Sequence, residues 1–154
     1  MSIEQTLADH GITLPEPAAP VASYVPAVEA GGFLYISGQI SMNPDGSLIT
    51  GTLGDDVSLE DGIAAAQRCG VMLIAQMKKA LGSLDRVERI VKLGGFVNST
   101  ADFTDQPKVV NGASDLMLEV FGEAGKHARA AVGVPALPLG VAVEVDAVVA
   151  IKGD

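Results

Sequence analysis

The stretch SLEDGIAAAQRCGVMLIAQMKKAL, residues 58–81, restricts the fold more than any other part of the chain. Ile63, Ala66, Gly70, Leu73, Ile74, Met77 and Leu81 recur at helical spacing, which predicts one long helix with those side chains on its buried stripe. Ser58 is placed to cap it, with Asp61 three residues on, and Gly82 to end it. Small alanine and glycine side chains on the stripe let the helix approach its neighbour closely, which suits packing on a sheet. Cys69, the only cysteine, falls inside this pattern and reads as a small core residue; alone it can form no intramolecular disulfide.

Strand signals surround that helix. YVPAVEAGGFLYISGQI reads as two strands about a turn at Gly31 and Gly32, and NPDGSL, from Asn43, as a second turn. RVERIVKLGGFVNS alternates as a strand does, with Gly94 and Gly95 marking a bulge or a close backbone approach. Asp105 is placed to cap a second helix that has Pro107 in its first turn and runs to about Phe121. ARAAVGV and VAVEVDA then read as two strands joined by PALPLG. The order β-β, helix, β, helix, β-β predicts an α+β sandwich, a mixed sheet with two helices on one face. Ahead of it, Ser2 and Gln5 form a capping pair for a short helix stopped by Gly11, and LPEPAAP follows as a proline-rich connector. Residues 1–20 are therefore expected to be an arm, and residues 21–154 a single domain.

Charge narrows the partners. Ten Lys+Arg against nineteen Asp+Glu give a formal net charge of −9, with no basic stripe, so nucleic acid is not expected as a partner. A hydrophobic fraction of 48% with only 19% charged residues, against about 25% in typical domains, suggests surface hidden against further copies of the chain. The N-terminus lacks the basic start and apolar run of a signal peptide, and no stretch approaches the ~18 apolar residues of a membrane span. A cytoplasmic protein with no membrane partner is expected. His10 and His127 stand apart without metal-ligand spacing, and His127 reads as an exposed loop residue. GEAGKHA lacks the spacing of a phosphate loop, and Ser37 sits in no nucleophile elbow.

Arg129 is the informative charge. It is the only arginine or lysine between Lys126 and Lys152, and Ala128, Ala130 and Ala131 leave room beside it. If the last two strands form a hairpin, with Val134 facing Val141, Arg129 lies near Asp146 and on one face with Glu144 and Asp146. A plain cross-strand ion pair, worth about 0.2–1 kcal/mol, accounts for that arrangement. So does a receptor for a small carboxylate, held by the planar guanidinium fork, with a second carboxylate positioning a water.

YISGQI, GFVNSTADF and VNGASDLMLEVFGEAGKHARAAVGVPALPLGVAVEVDAVV together resemble the Rid family of reactive intermediate deaminases, also known as the YjgF or endoribonuclease L-PSP family, over most of the chain. The resemblance implies a fold like bacterial chorismate mutase, a homotrimer with sites in the clefts between subunits, no cofactor and no metal. It implies hydrolysis of enamines and imines such as 2-aminoacrylate to 2-keto acids and ammonia. By motif, Arg129 holds the substrate carboxylate and Glu144 positions the attacking water. Tyr24, Ser37, Gly38, Asn111 and Ala131 match further positions lining the site. The family usually has proline where this chain has His127, and serine or threonine where it has Ala130; residues 1–20, 51–59 and 122–126 are additions. These departures leave open a non-catalytic binding protein for a small carboxylate metabolite. An isomerase rests on fold analogy alone, and an endoribonuclease conflicts with the charge balance.

Overall fold

A computed structural model describes residues 2–19 and 23–153. Pro20, the last residue of the proline-rich connector, lies outside the described residues. The elements are α1 (Ile3–Asp9), β1 (Ala27–Ala30), β2 (Phe33–Ile40), α2 (Leu59–Leu81), β3 (Val87–Asn98), α3 (Gln106–Phe121), β4 (Ala128–Val134) and β5 (Val143–Ile151), with three short 3-10 turns. This is an α+β fold: a mixed sheet in the order β1-β2-β5-β3-β4, antiparallel except for the β3–β4 pair. Helix α2 packs over β2 and β5, and α3 over β3 and β4.

Local signals account for the helices. The Ser58 hydroxyl accepts from the Asp61 amide, and Gly82 ends α2 at φ 80°. Ser2 caps α1 through the Gln5 amide; the Gln5 side chain turns to Asp9 instead of returning to the cap. Asp105 precedes α3, but its carboxylate caps no helix amide. Most of the expected α2 stripe is buried, with Cys69 among it, while Ile63 is only half-buried and Gly62 takes the inward place. Burial pushes the Cys69 thiol pKa up, so it stays a neutral core group. Gly94 and Gly95 mark close approaches: a side chain at Gly94 would meet Asp146, and one at Gly95 would meet Val110 of α3. The irregularities between β3 and β5 lie earlier, at residues 87–92.

The hairpin expected of the last two strands does not form. β4 pairs in parallel with β3, Arg129 opposite Leu93, and β5 inserts between β2 and β3. Two physical reasons act together. Helix α3 is the crossover that a parallel β3–β4 pair requires. Meanwhile the alternation of β5, with Val143, Val145, Ala147, Val149 and Ile151 all buried, suits a central strand with both edges paired. Arg129 and Asp146 are consequently two strands apart. Because Leu93 and Ala147 are buried beneath the helices, Arg129, in register with them, belongs to the helix side of the sheet. Glu144 and Asp146 lie on the open side, so the expected shared face is also corrected.

The arm is tied down. Leu7 joins the core, Glu4 accepts from Lys78 at 2.9 Å, and Lys79 donates to the Pro17 carbonyl. The open sheet side carries exposed Val28, Phe33, Tyr35 and Val132.

Candidate active site

The residues singled out in the sequence fall into two groups. Tyr24, Ser37, Gly38 and Glu144 line one cavity of about 670 Å³. Arg129 and Asn111 meet at the other edge of the sheet, where the arginine Nη1 donates to Asn111 Oδ1 at 2.8 Å. Ala131, two residues along β4, packs against the core and lines neither place.

The cavity group is built on an irregularity. β2 changes register against β5 between Ile36 and Gln39. Up to Ile36 its inward side chains alternate regularly; beyond the shift Gln39 points inward and Gly38 is exposed on the Glu144 side. A side chain at Gly38 would collide with the Glu144 carboxylate, so only glycine lets that carboxylate lie against the strand backbone. β1 ends its pairing at Ala27, opposite Ile36, which leaves the outer edge of residues 37–40 free of a strand partner. Ser37 is held there by Pro26 and Val25: its amide donates to the Pro26 carbonyl at 2.8 Å and its hydroxyl to the Val25 carbonyl at 3.2 Å.

Burial raises the Glu144 pKa above the ordinary carboxylate range, and the nearby Asp146 charge adds to it. Asp146 is raised too, chiefly by burial, with the Gly94 amide and Lys92 pulling the other way. A carboxyl group poised above its usual range, in a cavity, is suited to taking a proton from water.

The arginine group is braced from α3. Besides Asn111, Nη1 donates to the Ser114 hydroxyl at 3.1 Å. That hydroxyl lies 2.8 Å from His127 Nε2, and His127 Nδ1 lies 2.6 Å from the Gly125 carbonyl. A carbonyl only accepts, so Nδ1 carries a proton toward Gly125, and the Ser114 hydroxyl bridges Nε2 to the arginine. His127 is therefore half-buried and bonded at both nitrogens, not the free loop residue expected from the sequence. Among the described residues Arg129 makes no ion pair, and Nε and Nη2 have no partner. The cross-strand ion pair is thereby overturned. One edge of the fork is spent on orientation and the rest is left open.

Ser114 and His127 went unassigned to the site at the sequence level. The available signal was the spacing of Asn111 and Ser114, which puts them on one helix face. Ala130 pairs with Gly94 on the open side of the sheet, away from this brace, so the hydroxyl beside the arginine comes from Ser114.

From β5 to β4 is two strand spacings, about 10 Å, and Glu144 and Arg129 also lie on opposite sides of the sheet. A small carboxylate cannot touch both within one molecule. No group of three or more potential metal-ligating side chains occurs among the described residues, and no helix among them is long and apolar enough to cross a membrane.

Comparison with known proteins places this arrangement. Residues 4–149 match the family model described as "YjgF/chorismate_mutase-like, putative endoribonuclease". The chain is 54% identical over 140 residues to Protein TCP17 of Trypanosoma cruzi, covering 90% of this chain and 88% of that one. It is 30% identical over 142 residues to the 2-iminobutanoate/2-iminopropanoate deaminase of Dermatophagoides farinae, covering 92% and 95%. A crystal structure of a protein of unknown function from Agrobacterium tumefaciens superposes with a TM-score of 0.90 at 45% identity, over 98% of this chain and 94% of that one. With the fold and nearly the whole length accounted for, the chain belongs to the Rid/YjgF family.

Proposed function

We propose that the protein hydrolyses reactive enamine and imine intermediates of the 2-aminoacrylate type to 2-keto acids and ammonia, at clefts between the subunits of a homotrimer. One observation carries the reading: an oriented, open arginine fork and a glutamate with a raised pKa occupy separate halves of the molecule, each incomplete without a second copy. The exposed apolar side chains of the open sheet face supply surface for that copy to cover. The name of the Dermatophagoides relative supports the reaction class.

The chemistry asks little of the protein. Arg129 of one copy pairs with the substrate carboxylate through two charge-assisted hydrogen bonds. An enamine becomes the iminium by taking a proton from solvent at C3, and the iminium carbon is already electrophilic, so orientation over the facing copy's Glu144 supplies much of the acceleration. Glu144 takes a proton from water as the oxygen bonds to that carbon. The resulting carbinolamine takes that proton back from Glu144 on its nitrogen; its hydroxyl then gives up a proton to solvent as the C=O bond forms, the C–N bond breaks and ammonia leaves the 2-keto acid.

The first test measures keto acid released from freshly generated 2-aminoacrylate. The wild type is expected to exceed the buffer rate, and Arg129→Ala not to. Co-refolding Arg129→Ala with Glu144→Gln then tests the shared site. In randomly mixed trimers about one interface in four pairs an intact arginine with an intact glutamate, so about a quarter of the activity returns. A native mass of one subunit, or no recovery on mixing, would sink the composite site.

The brace makes a separate prediction. Ser114→Ala and His127→Phe are expected to raise KM about tenfold with little change in kcat, since they free the fork without removing it. His127→Gln, which keeps an acceptor near Nε2, should recover part of the loss. A loss confined to kcat would place these residues elsewhere in the mechanism.

A further inference from the structure

The Glu144 cavity extends well past the groups a two- or three-carbon imine could touch. Its lining includes residues 37–40, whose outer edge has no strand partner, and runs from Glu144 on the open side of the sheet to Met72 and Gln76 of α2 on the other. Gln76 is only 7% exposed, although it is a polar residue on the core-facing part of a helix. Its Nε2 donates to Gln39 Oε1 at 3.3 Å, and Gln39 Nε2 donates in turn to the Ser37 carbonyl at 3.0 Å. That engages both ends of the Gln39 amide. The Gln76 Oε1 has no partner among the described residues, and it belongs to a side chain that lines the cavity. That oxygen is not sealed in the interior, so it is an acceptor within reach of a ligand's donor group.

The walls between the two ends are of another kind. Ile40, Met42, Met72 and Pro138 line them, together with Ala18 and Ala19 of the arm. Methionines adapt to irregular apolar shapes. Apart from Glu144 and the Tyr24 phenol the lining carries no ionisable group, so a charged tip would be desolvated without a counter-charge.

We infer that this recess receives the substrate's side chain, and that the substrate class is 2-imino acids whose long side chain is apolar along its stem and ends in a neutral hydrogen-bond donor paired with Gln76 Oε1. The inference rests on the proposed reading in one respect, the placement of the reacting carbon at Glu144. It adds that the arm and α2 select for chain length and for a polar tip.

Binding of stable 2-oxo acids tests it without requiring turnover. Pyruvate, 2-oxooctanoate and its terminal-hydroxyl isostere 7-hydroxy-2-oxoheptanoate are titrated calorimetrically into the full-length wild type and Gln76→Leu. Both long acids are expected to bind the wild type at least about tenfold more tightly than pyruvate. Gln76→Leu should weaken the hydroxy acid about tenfold while leaving 2-oxooctanoate and pyruvate unchanged or tighter. Equal affinities for all three acids would overturn the inference. So would a Gln76→Leu effect shared by all three, which would mark a general disturbance of the fold. Turnover of 2-aminoacrylate, measured alongside, separates the two readings. Chain-length discrimination without turnover keeps the recess and removes the deaminase, while turnover without discrimination does the reverse.

Discussion

Glu144→Gln is expected to lower turnover of 2-aminoacrylate by between about a hundredfold and ten-thousandfold while leaving carboxylate binding nearly intact. Removing a positioned general base costs roughly that much, and the proposed carboxylate receptor is Arg129, on the other half of the molecule. The wild type should carry the matching pH signature. Glu144 acts as a base only when ionised, and burial together with Asp146 raises its pKa. Its ionised fraction therefore falls sooner as pH drops, and the acid limb of kcat/KM lies above the usual carboxylate range. The glutamine variant should have no such limb. Stopped-assay rates across pH, with calorimetric binding of pyruvate to both proteins, decide the matter. Full turnover by Glu144→Gln would remove the glutamate from the mechanism; lost binding in step with lost turnover would make it part of the receptor.

The second large effect is on stability. Gly112 of α3 faces the backbone of α2 so closely that a side chain there would collide with the Ile63 carbonyl oxygen. A flexible side chain could turn aside, but a helix carbonyl cannot. Gly112→Val therefore forces the helices apart and is expected to cost about 3 kcal/mol or more. For a chain of this size that lowers Tm by roughly 6–12 °C. Gly62→Ala, which would press on the Leu53 side chain, should cost distinctly less. Gly112 also lies between Asn111 and Ser114, so the displaced helix should loosen the Arg129 brace as well. Thermal unfolding of the two variants checks the order, and a Gly112→Val protein as stable as wild type would show that α2 and α3 can separate freely.

How far the sequence carried the fold depends on the range over which each signal acts. Ser58 and Gly82 mark the ends of α2 because a cap satisfies backbone groups within one turn of itself. Gly31 and Gly32, both at positive φ, mark the β1–β2 turn for an equally local reason. The choice of strand partner is not local. ARAAVGV next to VAVEVDA invites a hairpin, yet β4 goes to β3 because α3 carries the chain across. β5 goes between β2 and β3, where both its edges are paired.

The site divides along the same line. Arg129 and Glu144 stand out by residue type and spacing, because the chemistry of a guanidinium or a carboxylate travels with the residue, while Asn111, Ser37, Gly38 and Tyr24 are indicated only by the family resemblance. Their division into two groups could not be read that way, since it depends on the strand order and on a register that sets Arg129 level with Ala147 instead of Asp146. The same holds for groups whose meaning depends on what packs against them. His127 reads as a loop histidine until Gly125 and Ser114 are seen on its two nitrogens. Gln76 reads as one more polar residue of a long helix until Gln39 and the cavity are found beside it. By itself the sequence determined the elements, their ends and the chemically capable residues, because turns, caps and side-chain periodicity act over a few positions. Only the tertiary structure decided which of those residues meet, because strand order and helix crossing bring together groups from distant parts of the chain.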